Sequence, residues 1–274
     1  MLAFYGERFA TVEINNSFYR LPSEATFRAW AATTPPGFTF AVKGSRFITH
    51  NKKLKDADQT VPRLISAVAG LGLKLGPILF QLPPSWGLNL GRLAAFLEAL
   101  PAGSAVDAAP ALRYAFEFRN ESWFDERVYE LLATASAAFC IYDLAGRRSP
   151  LAATAAHVYV RLHGPGAPYE GSYDDATLAG WAERMLGWAG EGRVVYCYFD
   201  NDQHGYAVRD ALRLRALVEA GGVRAGAATV RRGALRQPGG VDRNGRSEAV
   251  NPEPQLRAVG AKLTARSRWR IRRP

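Results

Sequence analysis

Apolar and polar residues alternate with a period of two in several short segments of the first 220 residues, and segments with a helical period lie between them. The strand-like segments are centred on Val12, Ala41, Leu79, Phe116, Ile141, Val160 and Tyr196. The intervening segments repeat apolar residues at spacings of three and four, as in Leu93, Phe96 and Leu97. Strands that alternate with helices are typical of a parallel sheet with crossover helices. The pattern therefore predicts an α/β fold.

Polar side chains gather at the carboxyl end of nearly every predicted strand. In the segment RYAFEFRNESW, Glu117 and Arg119 share one face of the strand, while Phe116 and Phe118 share the other. The polar residues at the other strand ends include Glu13, Asn15, Lys43, Arg46, Gln81, Asp143, Arg161, His163 and Asn201. Because parallel strands bring their carboxyl ends to one rim, the pattern predicts a site at that rim.

The seven predicted strands are one fewer than the eight of a (β/α)8 barrel. Polar residues that converge from many strand ends are nevertheless typical of barrel active sites. A doubly wound open sheet is the structural alternative, and it usually carries a glycine-rich first turn. Gly70, Gly72 and Gly76 match that turn only in part. The sequence therefore favours a TIM (β/α)8-type barrel in residues 1–220, lacking its first strand.

Six motifs in this part of the chain resemble, in order and spacing, those of the DUF72 (YecE-like) family. The motifs are TVEINNSFYRLP, FAVKGSRFITH, LGPILFQLPPSW, YAFEFRNESW, VYVRLHG and YCYFDNDQHGYA, within residues 4–218. The resemblance implies a TIM barrel of unknown biochemical function. Family members begin with a strand carrying a Gly-Thr-Ser-Gly-Trp-like segment, which this chain does not contain. The basic region after residue 218 has no counterpart in the family either.

Glu117 and Arg119 are the first candidates for a functional site because charge inside an apolar strand is costly. Glu117 fits a catalytic acid or base, and Arg119 fits a group that holds an anionic or hydroxylated ligand. A buried pair that only stabilises the barrel interior is the alternative. Glu13 supplies a second candidate carboxylate from another strand. His163, two residues after Arg161, is either a catalytic base or a hydrogen-bonded structural residue.

A second group of polar residues fits substrate binding. Lys43, Arg46 and His50 lie where a strand opens into a loop, and they suit a phosphate or carboxylate. Arg46 and His50 are equally typical of solvated surface charge. The run DND at 200–202 either coordinates a hard cation or caps the next helix. The predicted substrate-binding residues are Asn15, Lys43, Arg46, Gln81, Arg119, Asp143, Arg161 and Asn201.

The net charge of +10 resides entirely in the last fifth of the chain. Residues 221–274 carry 13 Lys and Arg against three acids, and residues 1–220 carry 22 of each sign. This stretch is rich in Arg, Gly and Ala and lacks sustained apolar periodicity, so it is predicted to be a disordered basic tail. Such a tail is either a nucleic-acid-binding arm or an incidental extension, and its abrupt composition also suits a shifted reading frame.

The remaining composition indicates a cytoplasmic protein that does not associate with membranes. No run of 18 apolar residues is present, and Glu7 and Arg8 interrupt the position of a signal peptide. Cys140 and Cys197 lie within apolar runs, which is typical of buried fillers. No motif identifies a cofactor, so the sequence leaves the cofactor unknown.

The favoured hypothesis is an enzyme that acts on a small polar or anionic substrate by carboxylate acid/base chemistry at the strand carboxyl ends. Glu117 and Glu13 would transfer protons, together with His163. The second hypothesis is a divalent-metal-dependent hydrolase or isomerase, with Glu117, Asp143 and His163 as ligands. The third is a nucleic-acid-binding protein acting through the Arg-rich tail.

Overall fold

The computed structural model describes residues 2–105, 111–233 and 259–263. Its strands are β1 (Thr11–Ile14), β2 (Thr39–Lys43), β3 (Leu75–Leu82), β4 (Tyr114–Phe118), β5 (Ala138–Leu144), β6 (Arg147–Arg148), β7 (His157–Leu162), β8 (Val194–Phe199) and β9 (Val259–Leu263). Its α-helices are α1 (Leu2–Gly6), α2 (Glu24–Ala32), α3 (Ala57–Val68), α4 (Leu90–Glu98), α5 (Glu126–Thr134), α6 (Asp175–Gly190) and α7 (Tyr206–Gly233). Strands and helices alternate as the hydrophobic pattern predicts.

The parallel strands form a barrel with helices around it. Strands β1, β2, β3, β4, β5, β7 and β8 follow one another in chain order, and each adjacent pair in that order is parallel. The short strand β6 folds back antiparallel onto the end of β5. The seven strands predicted from the sequence are therefore all present, and the TIM-type architecture is confirmed.

The strand β9 lies between β1 and β8 and completes the ring. Glu13 and Ile14 pair with Lys262 and Leu263 on one side, and Cys197–Phe199 pair with 259–261 on the other. Unpaired edges of β1 and β8 would expose rows of N–H and C=O groups, and β9 satisfies part of both rows. A segment of the predicted tail thus takes the place of an eighth barrel strand.

The rest of the predicted tail is described only up to Gly233, where α7 ends. This helix begins at Tyr206 and continues beyond residue 220, the boundary expected from composition. Most of the residues to which disorder and nucleic-acid binding were assigned, 234–258 and 264–274, lie outside the described residues. Nucleic-acid binding by this region stays a prediction.

Two apolar clusters pack against the barrel wall, one on its outer side and one on its inner side. The larger cluster fills the layer between the strands and the helices, with residues such as Phe27, Phe96 and Trp181. The smaller cluster lies inside the barrel and combines small residues, including Ala41, Ala115, Ala138 and Cys140, with Tyr159, Tyr196 and Tyr198. The small residues on one side of the interior leave room for large polar side chains from the other side.

Within the residues described, none of the helices is both long enough and apolar enough to span a bilayer.

Candidate functional site

A layer of charged side chains lies above the apolar interior, toward the carboxyl ends of the strands. Successive residues of a strand point to opposite faces, so Glu117 and Arg161 face inward while Phe116, Phe118 and Leu162 join the outer layer. The register pairs Gln81 of β3 with Glu117 of β4. Glu13 and Lys43 lie on β1 and β2, which are neighbours in the sheet. Parallel strands thus bring these polar groups to the carboxyl-end half of the barrel.

Arg161 is at the centre of this layer, with a side chain only 1% exposed. Its Nη2 and Nε donate to the two carboxylate oxygens of Glu13 at 2.8 and 3.0 Å. Its Nη1 donates to Oε2 of Glu117 at 2.6 Å, and its Nη2 lies 3.4 Å from Oδ2 of Asp200. The Tyr159 hydroxyl also donates to Glu13, at 2.7 Å. One guanidinium therefore joins carboxylates from three strand ends.

The second half of the layer connects Glu117 to His163. The Arg119 guanidinium forms an ion pair with Glu117 and donates through Nη2 to Nε2 of His163 at 2.9 Å. Because Nε2 accepts, the proton of the neutral imidazole lies on Nδ1, which donates to Asp200 at 3.1 Å. Arg119 also packs on the face of Tyr142, with its Cζ 4.8 Å from the ring centre. The two halves of the layer share Glu117 and Asp200.

The charged layer shifts the pKa values of Glu117 and His163 away from neutral pH, so neither group changes its charge there. Burial would raise the pKa of Glu117, but Arg119, Arg161 and His163 together hold that pKa far below its usual range. Burial, reinforced by the positive charge of Arg161, lowers the pKa of His163 to about 3. Glu117 is therefore an anion at neutral pH, and His163 is a neutral imidazole.

The protein is expected to lose stability as the pH falls below about 6.5, in part because of His163. The unfolded chain takes up a proton on this histidine below its ordinary pKa, whereas the folded chain resists until about pH 3. The stabilisation is therefore complete above the unfolded pKa and declines by about 1.4 kcal/mol per pH unit below it. Urea unfolding between pH 7.5 and 4.5 should show that the free energy of unfolding falls less steeply for His163→Gln than for the natural chain. Equal slopes for the two proteins would contradict the low pKa assigned to His163.

A cleft of about 1590 Å³ opens above part of the charged layer. Lys43, Gln81 and Asp200 form its floor at the strand ends, and Lys43 donates to Gln81 at 2.6 Å. The Lys43 ammonium also lies 4.3 Å from the centre of the Phe18 ring. Among the other residues that line the cleft are Asn15, His50, Tyr19 and Tyr169. Burial and the nearby Lys43 lower the pKa of His50.

The loop after β7 places Tyr169 between the cleft and His163. Gly164 begins this loop at φ +111°, and an added Cβ would lie 2.3 Å from the carbonyl oxygen of Glu170. The loop is held by the hydroxyl of Tyr173, which accepts from the Gly164 N–H at 3.0 Å. The Tyr169 ring, itself 46% exposed, meets His163 edge to face at 5.5 Å. The glycine therefore allows an aromatic side chain to cover the buried histidine.

The structure brings together most of the residues predicted for the site. The charged layer contains Glu13, Glu117, Arg119, Arg161 and His163, and the cleft is lined by Asn15, Lys43 and Gln81. Arg46 is exposed at the start of the single π-turn Phe47–Asn51 and is not among the residues lining the cleft. Asn201 instead donates to Asp210 at 2.8 Å and to the carbonyl of Gly171 at 2.7 Å. It ties the strand end to α7 and the loop.

Asp143 also lies apart from the charged layer. Its neighbour Tyr142 faces Arg119, so the alternation of the strand turns Asp143 to the outer side, where Arg148 contacts it at 3.3 Å. Burial raises the pKa of this carboxyl. In the described part of the chain, no three His, Cys, Asp or Glu side chains form a group suited to a metal ion. Glu117, Asp143 and His163, the three ligands that the metal-dependent hypothesis expects, therefore do not lie together.

The sequence predictions of the site missed two contributing residues, Tyr142 and Tyr159, and considered Asp200 only as a cation ligand or a helix cap within the run DND. Asp200 follows β8 directly, at a strand end where the sequence predicts that polar residues gather. Its carboxylate joins the charged layer, and the neighbouring Asp202 makes no side-chain cap to the short helix Gln203–Gly205. The two tyrosines gave no comparable signal, because an aromatic residue that faces the barrel interior cannot be distinguished from a core residue by its sequence pattern.

The fold and the site define a parallel α/β barrel with a charged layer beneath a cleft at the strand carboxyl ends. The family model described as "Protein of unknown function DUF72" matches residues 1–233, and the chain belongs to this family. It is 28% identical over 121 residues to the UPF0759 protein YecE of Escherichia coli. That alignment covers 44% of this chain, and the chain spans only 42% of the length of YecE.

Two solved structures of DUF72 family proteins share the fold. One from Enterococcus faecalis aligns with a TM-score of 0.67 at 20% identity, covering 80% of this chain and 93% of that chain. One from Thermotoga maritima aligns with a TM-score of 0.63 at 24% identity, covering 77% and 85%. Similarity at this level of identity supports the barrel architecture and leaves the reaction open.

Proposed function

We propose that this protein is an enzyme that binds a small polar or anionic substrate in the cleft and transfers a proton through the carboxylate of Asp200. Lys43 is the cationic contact for the substrate, and Gln81 fixes the position of its ammonium group. Tyr169 and Phe18 supply aromatic surface beside that contact. The proposal accounts for the charge, polarity and location of the cleft floor.

The observation that carries this proposal is the continuity between the buried layer and the cleft. Asp200 lines the cleft and also contacts both Arg161 and His163. Burying charged groups rarely stabilises a protein more than apolar packing would. An ionic network that is fully hydrogen-bonded and reaches a cleft at one end is better suited to holding reactive groups in place.

The roles of the carboxylates differ from those suggested by the sequence alone. Glu117 is held by two arginines with its pKa far below the usual range, which makes it a poor general acid. We assign Glu117 and Glu13 to positioning, because they orient Arg119 and Arg161. The neutral His163 donates through Nδ1 to Asp200 and orients this carboxylate, which lines the cleft and is the group that can accept a proton from a substrate.

Asp200→Asn is the test of this function. A mixture of soluble metabolites is incubated with the purified full-length chain, and mass spectrometry identifies compounds that it consumes. We expect the variant to consume them about 100-fold more slowly or worse, because a displaced proton-transfer group costs 10²–10⁴ in rate. Its unfolding midpoint in urea serves as a check that the fold persists.

Asp175→Asn is the matched control because its side chain is 94% exposed at the start of α6. It should retain the activity of the natural chain. Equal turnover by the Asp200 and Asp175 variants, or no consumption of any compound by the natural chain, would overturn the proposal. In the second case the cleft would be a binding site without chemistry.

A further inference from the structure

A second, smaller concavity of about 490 Å³ lies on the same rim, between the loops that follow β2 and β3. The first loop contributes Lys52, Lys53, Lys55 and Asp56 to its lining. Trp86 and Arg92 line the opposite side. Four cationic side chains therefore face one carboxylate in a space of small-molecule size.

The contacts in this concavity leave its positive charge in excess. The Lys52 ammonium pairs with Asp56 at 2.7 Å, and the Arg92 guanidinium donates to the Lys53 carbonyl at 3.3 Å. The pKa of Asp56 is lowered, first by its hydrogen bond with Lys52 and further by the charges of Lys55 and Arg92. One carboxylate cannot neutralise this group of cations, which favours an anionic ligand.

Two helices begin at residues that line the same concavity. Helix α3, of 12 residues, begins after Asp56, whose side chain makes no capping hydrogen bond to it. Helix α4, of nine residues, begins after Asn89, which accepts from the Arg92 N–H at 2.9 Å. The first N–H groups of a helix carry partial positive charge and bind anions. Helix ends and side-chain cations thus favour the same kind of ligand.

The loop presents its cations in a fixed conformation. Lys53, Leu54 and Asp56 all have positive φ, at 48°, 64° and 53°. Residues other than glycine adopt this region at a cost, and they persist there only when their surroundings hold them. The buried side chain of Leu54 anchors the loop in the core. On the facing side, the carbonyl of Trp86 accepts from Trp123 Nε1 at 2.7 Å.

We propose that this concavity is a phosphate-binding site, distinct from the cleft that contains Asp200. The ligand is either free phosphate or the phosphate group of a monoester, because both present the same oxygens to lysine, arginine and helix N–H groups. A phosphate carries up to two negative charges near neutral pH, which the cations around Asp56 can balance. Trp86 forms an apolar wall beside the group.

The test is isothermal titration calorimetry of the full-length chain with inorganic phosphate and, separately, with glycerol phosphate at low ionic strength. We expect saturable binding of at least one of these ligands, and the tighter one identifies the free or the esterified form. The double variant Lys55→Glu, Arg92→Glu should weaken binding at least about tenfold, because it removes charge-assisted contacts. Arg147→Glu, whose natural side chain is 83% exposed, is the matched control and should bind normally.

The proposal is overturned if the natural chain shows no saturable heat with either ligand, or if the double variant binds as tightly as the natural chain. Lys43→Met provides the comparison with the proposed enzyme site, because it removes the cationic contact of the cleft. Phosphate binding that survives this substitution supports two independent sites, whereas its loss would place the phosphate in the cleft and contradict the assignment to Lys55 and Arg92.

Discussion

Arg161→Met is expected to cause the largest loss of stability of any single substitution in the charged layer, about 3–5 kcal/mol. The side chain of Arg161 contacts three carboxylates, those of Glu13, Glu117 and Asp200. Glu13 and Glu117 are fully buried, so methionine would leave Glu13 without the cation that it contacts and Glu117 with Arg119 alone, and water could not compensate. Urea unfolding at pH 7 gives the free energy of unfolding for the comparison.

Two further variants make this result decisive. Adding Glu13→Gln to Arg161→Met removes one of the stranded charges and should recover part of the lost stability. Arg147→Met changes an exposed arginine and should alter the unfolding free energy by less than about 0.5 kcal/mol. A loss below about 1 kcal/mol for Arg161→Met would show that the carboxylates obtain their compensation elsewhere.

The barrel could be predicted because its signal is local. A period of two identifies each strand, and the helices between strands show the spacing of three and four. Glu117 and Arg119, and likewise Arg161 and His163, were expected to share a face from their separation by two residues. In the structure each pair contributes to the same charged layer. That two residues separated by two positions share a strand face is therefore a dependable prediction.

Which of the two faces of a strand points into the barrel could not be predicted in the same way. Asp143 was selected because it ends a strand, but the inward residue of that strand is Tyr142. A shift of one residue exchanges the two faces of a strand, and an apolar strand that is buried on both faces gives no local indication of which is inner. Asn201 follows β8 and donates to Asp210 instead of joining the charged layer, and its position at a strand end gives no indication of this.

The strand β9 had no local signal. Its sequence, VGAKL, lies in a region of basic and small residues without a sustained period. Strand formation there depends on the edges of β1 and β8, which are far away in the chain, and such context overrides intrinsic propensity. Composition therefore predicts a disordered tail, whereas the topology indicates that part of this region contributes a strand to the barrel.

A chain that ends at Gly233 is accordingly expected to be less stable than one that ends at Leu263. The shorter chain lacks β9, which pairs with Glu13 and Ile14 on one side and with 197–199 on the other. Each lost backbone hydrogen bond costs about 1 kcal/mol, so a total of about 3 kcal/mol or more is expected. The exposed parallel edges should also promote association of the shorter chain, which size-exclusion chromatography would detect.

The longer truncation is the control because it deletes residues 264–274, with five of the arginines, and keeps the strand. It should match the full-length chain in urea midpoint and in elution volume. If both truncated chains unfold at the same urea concentration, β9 contributes nothing measurable and the edges of β1 and β8 are protected in another way. If only the shorter chain is destabilised, the loss follows the strand and not the removal of basic charge, because both deletions remove arginines.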